Sequence, residues 1–122
     1  MANKKMNLSG TGKEILDNFC NALELERPFG IKIALAKGIA DANGPRTELE
    51  VDGKNKWTIP DNIIRDKEFL MFKHLIINEV QQPLDDDNIQ KHMLLYIEFG
   101  LRKLQSEIEN KSAIEDIRIA IL

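Results

Sequence analysis

The chain contains one cysteine, one tryptophan, one tyrosine and two histidines among its 122 residues. The lone Cys20 cannot close a disulfide within the chain, which fits a reducing compartment and points to a cytoplasmic protein. His74 and His92 are far apart, and neither has the i, i+4 partner of a helical zinc pair. Long apolar runs are missing as well: the longest is the five residues Met93 to Ile97. A membrane span needs roughly 18–20, so no membrane association is expected. The first residues, Met1-Ala2-Asn3-Lys4-Lys5-Met6, turn polar without the apolar stretch of a signal peptide.

Signatures of catalysis are equally scarce. Ser9-Gly10-Thr11-Gly12-Lys13-Glu14 invites comparison with a phosphate-binding loop. That pattern needs a glycine where Asn7 stands and a hydroxyl where Glu14 stands, and a carboxylate there would repel phosphate. A helix-capping box built on Thr11 and Glu14 accounts for the same residues. Asp85-Asp86-Asp87 lacks the alternating ligands, glycine and closing glutamate of a calcium loop, and three acids suit a helix N-terminus. No serine stands in a nucleophile-elbow context. Cys20 reads as a small buried thiol, and Glu98 as the solvent-facing member of an apolar turn. The expectation is a chain without metal, cofactor or enzymatic activity of its own; an enzyme acting through Glu98 and His92 is the weakest of the readings.

What is present is an ordinary globular composition, 43% apolar and 30% charged. The length suits a single domain over residues 1–122, with residues 1–9 as a flexible arm. Formal charge is −3 and uneven: residues 1–56 carry 9 basic and 8 acidic residues, and residues 57–122 carry 8 and 12. A basic footprint for nucleic acid would have to be local and belongs in the first half.

Hydrophobic spacing predicts a mainly α fold, a compact bundle of four to five helices with a short β-hairpin or ordered loop between the second and third. The first helix is expected over residues 12–25, broken at Pro28. The second covers 30–40, with Ile31, Ala34, Leu35 and Ile39 on one face. Lys32, Ala36 and Ala40 lie on the other, where small side chains would admit another helix or a polymer backbone. Alternation at 47–51 and 56–59 around Asp52-Gly53 predicts the hairpin. A third helix over 65–81 has an apolar stripe wide enough for burial on two sides. A fourth over 87–109 has a seam through Ile89, Met93, Tyr96 or Ile97, Gly100, Leu101, Leu104 and Ile108. Residues 113–121 fit either a helix or a strand, and the helix is preferred. Trp57, near Arg46, Lys54 and Lys56, would stack on a base or seat a partner protein, or anchor the hairpin to the helices.

The proline-marked break followed by Gly30-Ile31-Lys32-Ile33-Ala34-Leu35-Ala36-Lys37-Gly38-Ile39 resembles the N-terminal half of the DndE family of DNA sulphur-modification proteins. The likeness continues through Trp57, the helix at 67–80, and Tyr96-Ile97-Glu98-Phe99-Gly100-Leu101, covering about residues 10–108. It implies a small helical, non-enzymatic subunit of the DNA phosphorothioation machinery, acting in host defence. It further implies a homo-oligomer, a tetramer on the family's pattern, that binds DNA with a preference for nicked duplex. Partner subunits, a cysteine desulfurase, an iron–sulphur protein and an ATPase, would carry the sulphur chemistry. DNA contacts would come from surface lysines, here Lys13, Lys32 and Lys37, with Lys4, Lys5 and Arg27 nearby in sequence; Trp57 would contact a partner.

Two other readings stand beside it. One is an acidic protein–protein adaptor without DNA binding, using Trp57, Phe72 and Tyr96. The other is a ribbon-helix-helix-like regulator, in which Lys4, Lys5 and Asn7 of paired N-terminal segments would read the major groove. The first segment lacks the alternation of a strand, which favours the helical reading.

Overall fold

The strongest helical seam in the sequence becomes the axis of the molecule. In the computed structural model, which describes residues 6–42, 57–60 and 63–110, the order is β1 (Met6–Leu8), α1 (Gly10–Leu23), α2 (Arg27–Asp41), β2 (Trp57–Ile59), α3 (Asp66–Val80) and α4 (Asp86–Glu109). The fold is mainly α, as expected. Along α4, Ile89, Met93, Tyr96, Ile97, Gly100, Leu101 and Leu104 are buried, and Ile108 is half-buried. Burying an aliphatic or aromatic side chain of this kind contributes about 1.5–3 kcal/mol. The helix therefore has the largest share of the core to organise.

Helix α2 lies closest on that seam. Its buried residues are Gly30, Ile31, Ala34, Leu35, Gly38 and Ile39. A methyl group on Gly38 would overlap the Tyr96 carbonyl oxygen, and one on Gly100 would overlap the Ala34 carbonyl oxygen. The two backbones thus meet where neither helix has a side chain. The small residues that admit a helix are Ala34 and Gly38; Ala36 and Ala40, expected in that role, are exposed. The seam won because Ile31, Leu35 and Ile39 share its side of the helix.

Helix α1 begins earlier than its spacing suggests. Ser9 is the N-cap, its hydroxyl accepting from the Gly12 backbone N–H at 2.9 Å, so the cap is not Thr11. Both α1 and α3 end without glycine: Glu24 and Gln81 take the left-handed conformation with φ of 55° and 64°, a position that glycine usually fills. Pro28 ends the first unit as expected. It also opens α2 within its first turn, where a missing N–H costs nothing.

The segment read as a flexible arm is ordered from Met6. Strand β1 pairs antiparallel with β2, Met6 opposite Ile59 and Leu8 opposite Trp57. Leu8 and Ile59 are buried, and the side chains of Asn7 and Thr58 join on the outer face at 2.7 Å. The expected hairpin partner at 47–51 lies outside the described residues, as does the segment at 113–121. The N-terminal segment here pairs within the chain, whereas a ribbon-helix-helix arrangement pairs it between two copies.

Helix α3 departs most from expectation. Phe69, Phe72 and Ile76 are buried, but Leu70, Met71 and Leu75 are 53, 50 and 42% exposed. The wide stripe is covered on one side only.

The seam yields a direct test. Gly38→Ala should destabilise the protein by about 1–3 kcal/mol or more, because the added methyl meets rigid backbone. Ala36→Ser, on the exposed side of the same helix, should change stability by less than about 0.5 kcal/mol. Urea unfolding midpoints of the two variants check both values.

Candidate functional site

Glu98 is the one fully buried carboxylate among the described residues, 1% exposed, rather than the solvent-facing residue its turn suggests. One oxygen accepts the Ser9 backbone N–H at 2.9 Å; the other accepts the Ser9 hydroxyl at 3.0 Å and the Arg102 guanidinium at 2.8 Å. Arg102 also donates to the Glu98 carbonyl oxygen, one turn back. A methyl on Gly12 would overlap that same carboxylate. Three donors compensate for the loss of water around a buried charge. Ser9 in turn caps α1, so a single carboxylate ties the start of α1 to the middle of α4. Its oxygens are occupied by structural donors, and the arrangement holds the fold together.

The basic residues expected to meet DNA are held by carboxylates. Lys13 stands 3.5 Å from Asp17, and Arg27 donates to the other Asp17 oxygen at 2.8 Å. Lys32 reaches Glu68 of α3 at 2.8 Å, while Lys37 is 2.7 Å from Glu107 of α4 and 3.3 Å from Asp41. The Arg27 hydrogen bond holds the Asp17 carboxyl below the usual carboxylate value. The Glu107 hydrogen bond raises Lys37 above the usual lysine value. Lys4 and Lys5 lie outside the described residues.

A different site forms around Trp57. The Arg27 guanidinium lies 5.7 Å from the centre of the indole, close enough for a cation–π contact. Between α1, the start of α2 and β2 is an open cleft of about 630 Å³, lined by Asp17, Cys20, Glu26, Arg27, Trp57 and Pro60 among others. Trp57 is half-buried against the core and half in the cleft. Cys20 is a buried free thiol, as expected; burial first, and then the Asp17 charge, push its pKa up. Its sulfur sits where a methyl on Gly30 would fall, which explains the glycine one turn into α2. Sequence spacing gave no sign that Asp17, Cys20 and Trp57 share a cleft, because β2 is brought there by pairing with β1.

The third feature is the outward face of α3. Leu70, Met71 and Leu75 are exposed there together with His74 and Asn78. Phe29, early in α2, is 53% exposed. At the other end of the acidic triplet, Asp85 caps α4 by accepting from the Asn88 N–H at 2.9 Å, and Asp86 pairs with Lys73 at 3.1 Å. No group of three His, Cys, Asp or Glu residues is placed to hold a metal ion among the described residues, and none of the described helices is long and apolar enough to cross a membrane. Burial lowers the pKa of His92, favouring its neutral form.

Comparison with protein-family models, with curated proteins and with solved structures gave no match.

Replacing Glu98 by alanine would strand the two Ser9 donors and remove the carboxylate that Arg102 meets. The expected loss is about 1–3 kcal/mol or more, the usual cost of leaving buried donors unsatisfied. A loss of unfolding free energy below about 1 kcal/mol in urea titration would show that the carboxylate does not join α1 to α4.

Proposed function

We propose that this chain is an accessory binding subunit that works by docking rather than by catalysis. The observation that carries this reading is the exposed face of α3. Contiguous apolar surface on a small monomer commonly marks an interaction site. Leu70, Met71 and Leu75 share this face with the exposed Lys67, His74 and Asn78, so a second copy of the chain can meet it through the apolar side chains, with Lys67 at the edge of the contact. A two-fold contact of that kind uses the same patch on both partners.

The resemblance to the DndE family supplies the assembly in which such a subunit would serve: the DNA phosphorothioation machinery, with a desulfurase, an iron–sulphur protein and an ATPase as partners. In that setting the chain contacts DNA through Lys13, Lys32 and Lys37. Each of these lysines must exchange a carboxylate for a phosphate, so affinity for DNA by the chain alone is low. The same ion pairs favour the second reading, an adaptor that contacts proteins only.

Two measurements separate these readings. If α3 is the docking face, the thermal midpoint rises with protein concentration, because association stabilises the folded state. Met71→Glu should abolish that dependence while leaving the midpoint of the dilute protein nearly unchanged; a midpoint independent of concentration in the unaltered protein would remove the docking face. For DNA, anisotropy titrations of intact and nicked duplex over several salt concentrations should give saturable binding. The salt slope should fall by about one unit for each phosphate-contacting lysine replaced by alanine. No binding at low salt, from folded protein, leaves the protein-only adaptor.

A further inference from the structure

We infer that the cleft beneath Arg27 and Trp57 is a binding site for a nucleobase, a neutral planar heterocycle carrying an exocyclic amino group. The site is distinct from the α3 face and from Lys32 and Lys37, and it needs neither. Its volume of about 630 Å³ lies within the range of about 300–1,000 Å³ typical of small-ligand pockets. Trp57 and the Arg27 guanidinium offer two flat π-rich surfaces 5.7 Å apart, centre to centre. A base can stack on the indole or on the guanidinium plane. Leu25, Pro28 and Ile63 give the walls an apolar character.

The polar groups in the cleft select among planar ligands. Asp17 and Glu26 both line it; the Asp17 oxygens are held by Lys13 and Arg27, and the Glu26 carboxylate is the acceptor offered to a base amino group. Glu26 is the N-cap of α2 yet makes no capping hydrogen bond through its side chain. Arg27 is already paired with Asp17, and Glu26 adds a second acid to the lining, so the cleft disfavours phosphate. The base enters, and any phosphate stays outside. An unpaired base in a strand and a free nucleoside share this chemistry.

Trp57 is the only tryptophan, so its fluorescence reports on this cleft alone. Three probes are titrated against the full chain: deoxyadenosine, a short single-stranded oligodeoxyadenylate, and an abasic oligomer of the same length. The expected result is saturable quenching by one or both of the base-bearing probes and none by the abasic one. Quenching by the nucleoside marks a free nucleoside as a ligand, and quenching by the oligomer alone marks a base in a strand. Arg27→Gln, a change at an exposed side chain, should weaken the interaction roughly fivefold. Absence of saturable quenching by either base-bearing probe, or unchanged quenching in Arg27→Gln, would overturn the assignment. Binding of the abasic oligomer without quenching would support phosphate contact by the lysines while leaving the cleft empty, so the two proposals fail separately.

Discussion

Gly38 and Gly100 let α2 and α4 meet backbone to backbone, and the rest of the fold is arranged around that approach. Either methyl would press into a carbonyl oxygen of the facing helix. Because the helices lie so near, Ile31 and Leu35 from α2 and Tyr96, Ile97 and Leu101 from α4 pack as one fully buried layer. Close packing of this kind tolerates little change in volume. The remaining elements attach to the pair: α1 against both, α3 against both, and β1 of the small sheet beside α4.

Attachment of α1 depends on a second constraint of a different kind. A buried carboxylate is costly unless it is well supplied with donors, and both Glu98 oxygens have donors only if Ser9 comes to them. Once Ser9 is held by its N–H and hydroxyl, the helix that it caps has a fixed starting point, and the chain just before it can only run alongside β2. The ordered N-terminal strand, the early start of α1 and the position of Trp57 therefore share one cause. The cleft at Trp57 is an indirect product of the same pairing.

Much of the helical frame was legible from spacing. The seam of α4 was read almost residue by residue, since Ile89, Met93, Gly100, Leu101 and Leu104 recur on one face of a long helix. The thiol of Cys20 was placed correctly for the same reason. Spacing could not show which apolar residues would be left outside. Leu70, Met71 and Leu75 look as core-like in sequence as Phe69 and Phe72, and only the position of α4 decides between them. Long-range polar pairings were also invisible: Ser9 and Glu98 are 89 residues apart, and the β1–β2 register joins residues about 50 apart. The lysines were found as residues, but their carboxylate partners on other helices were not, because ion pairs between elements follow from the packing and leave no local pattern.

The functional picture that results is of a rigid two-helix seam carrying one uncovered apolar helix face. The described basic residues of the first half, Lys13, Arg27, Lys32 and Lys37, are each paired with a carboxylate, and the proposed reading therefore rests on α3 more than on these side chains. The central claim is that this face is covered in solution by a second copy. Sedimentation equilibrium of the unaltered protein over a wide concentration range tests it most directly. A mass that rises from that of one chain towards a whole-number multiple, with a single dissociation constant fitting all concentrations, is the predicted result. A mass that stays at one chain, for folded protein at the highest concentration reached, would contradict it.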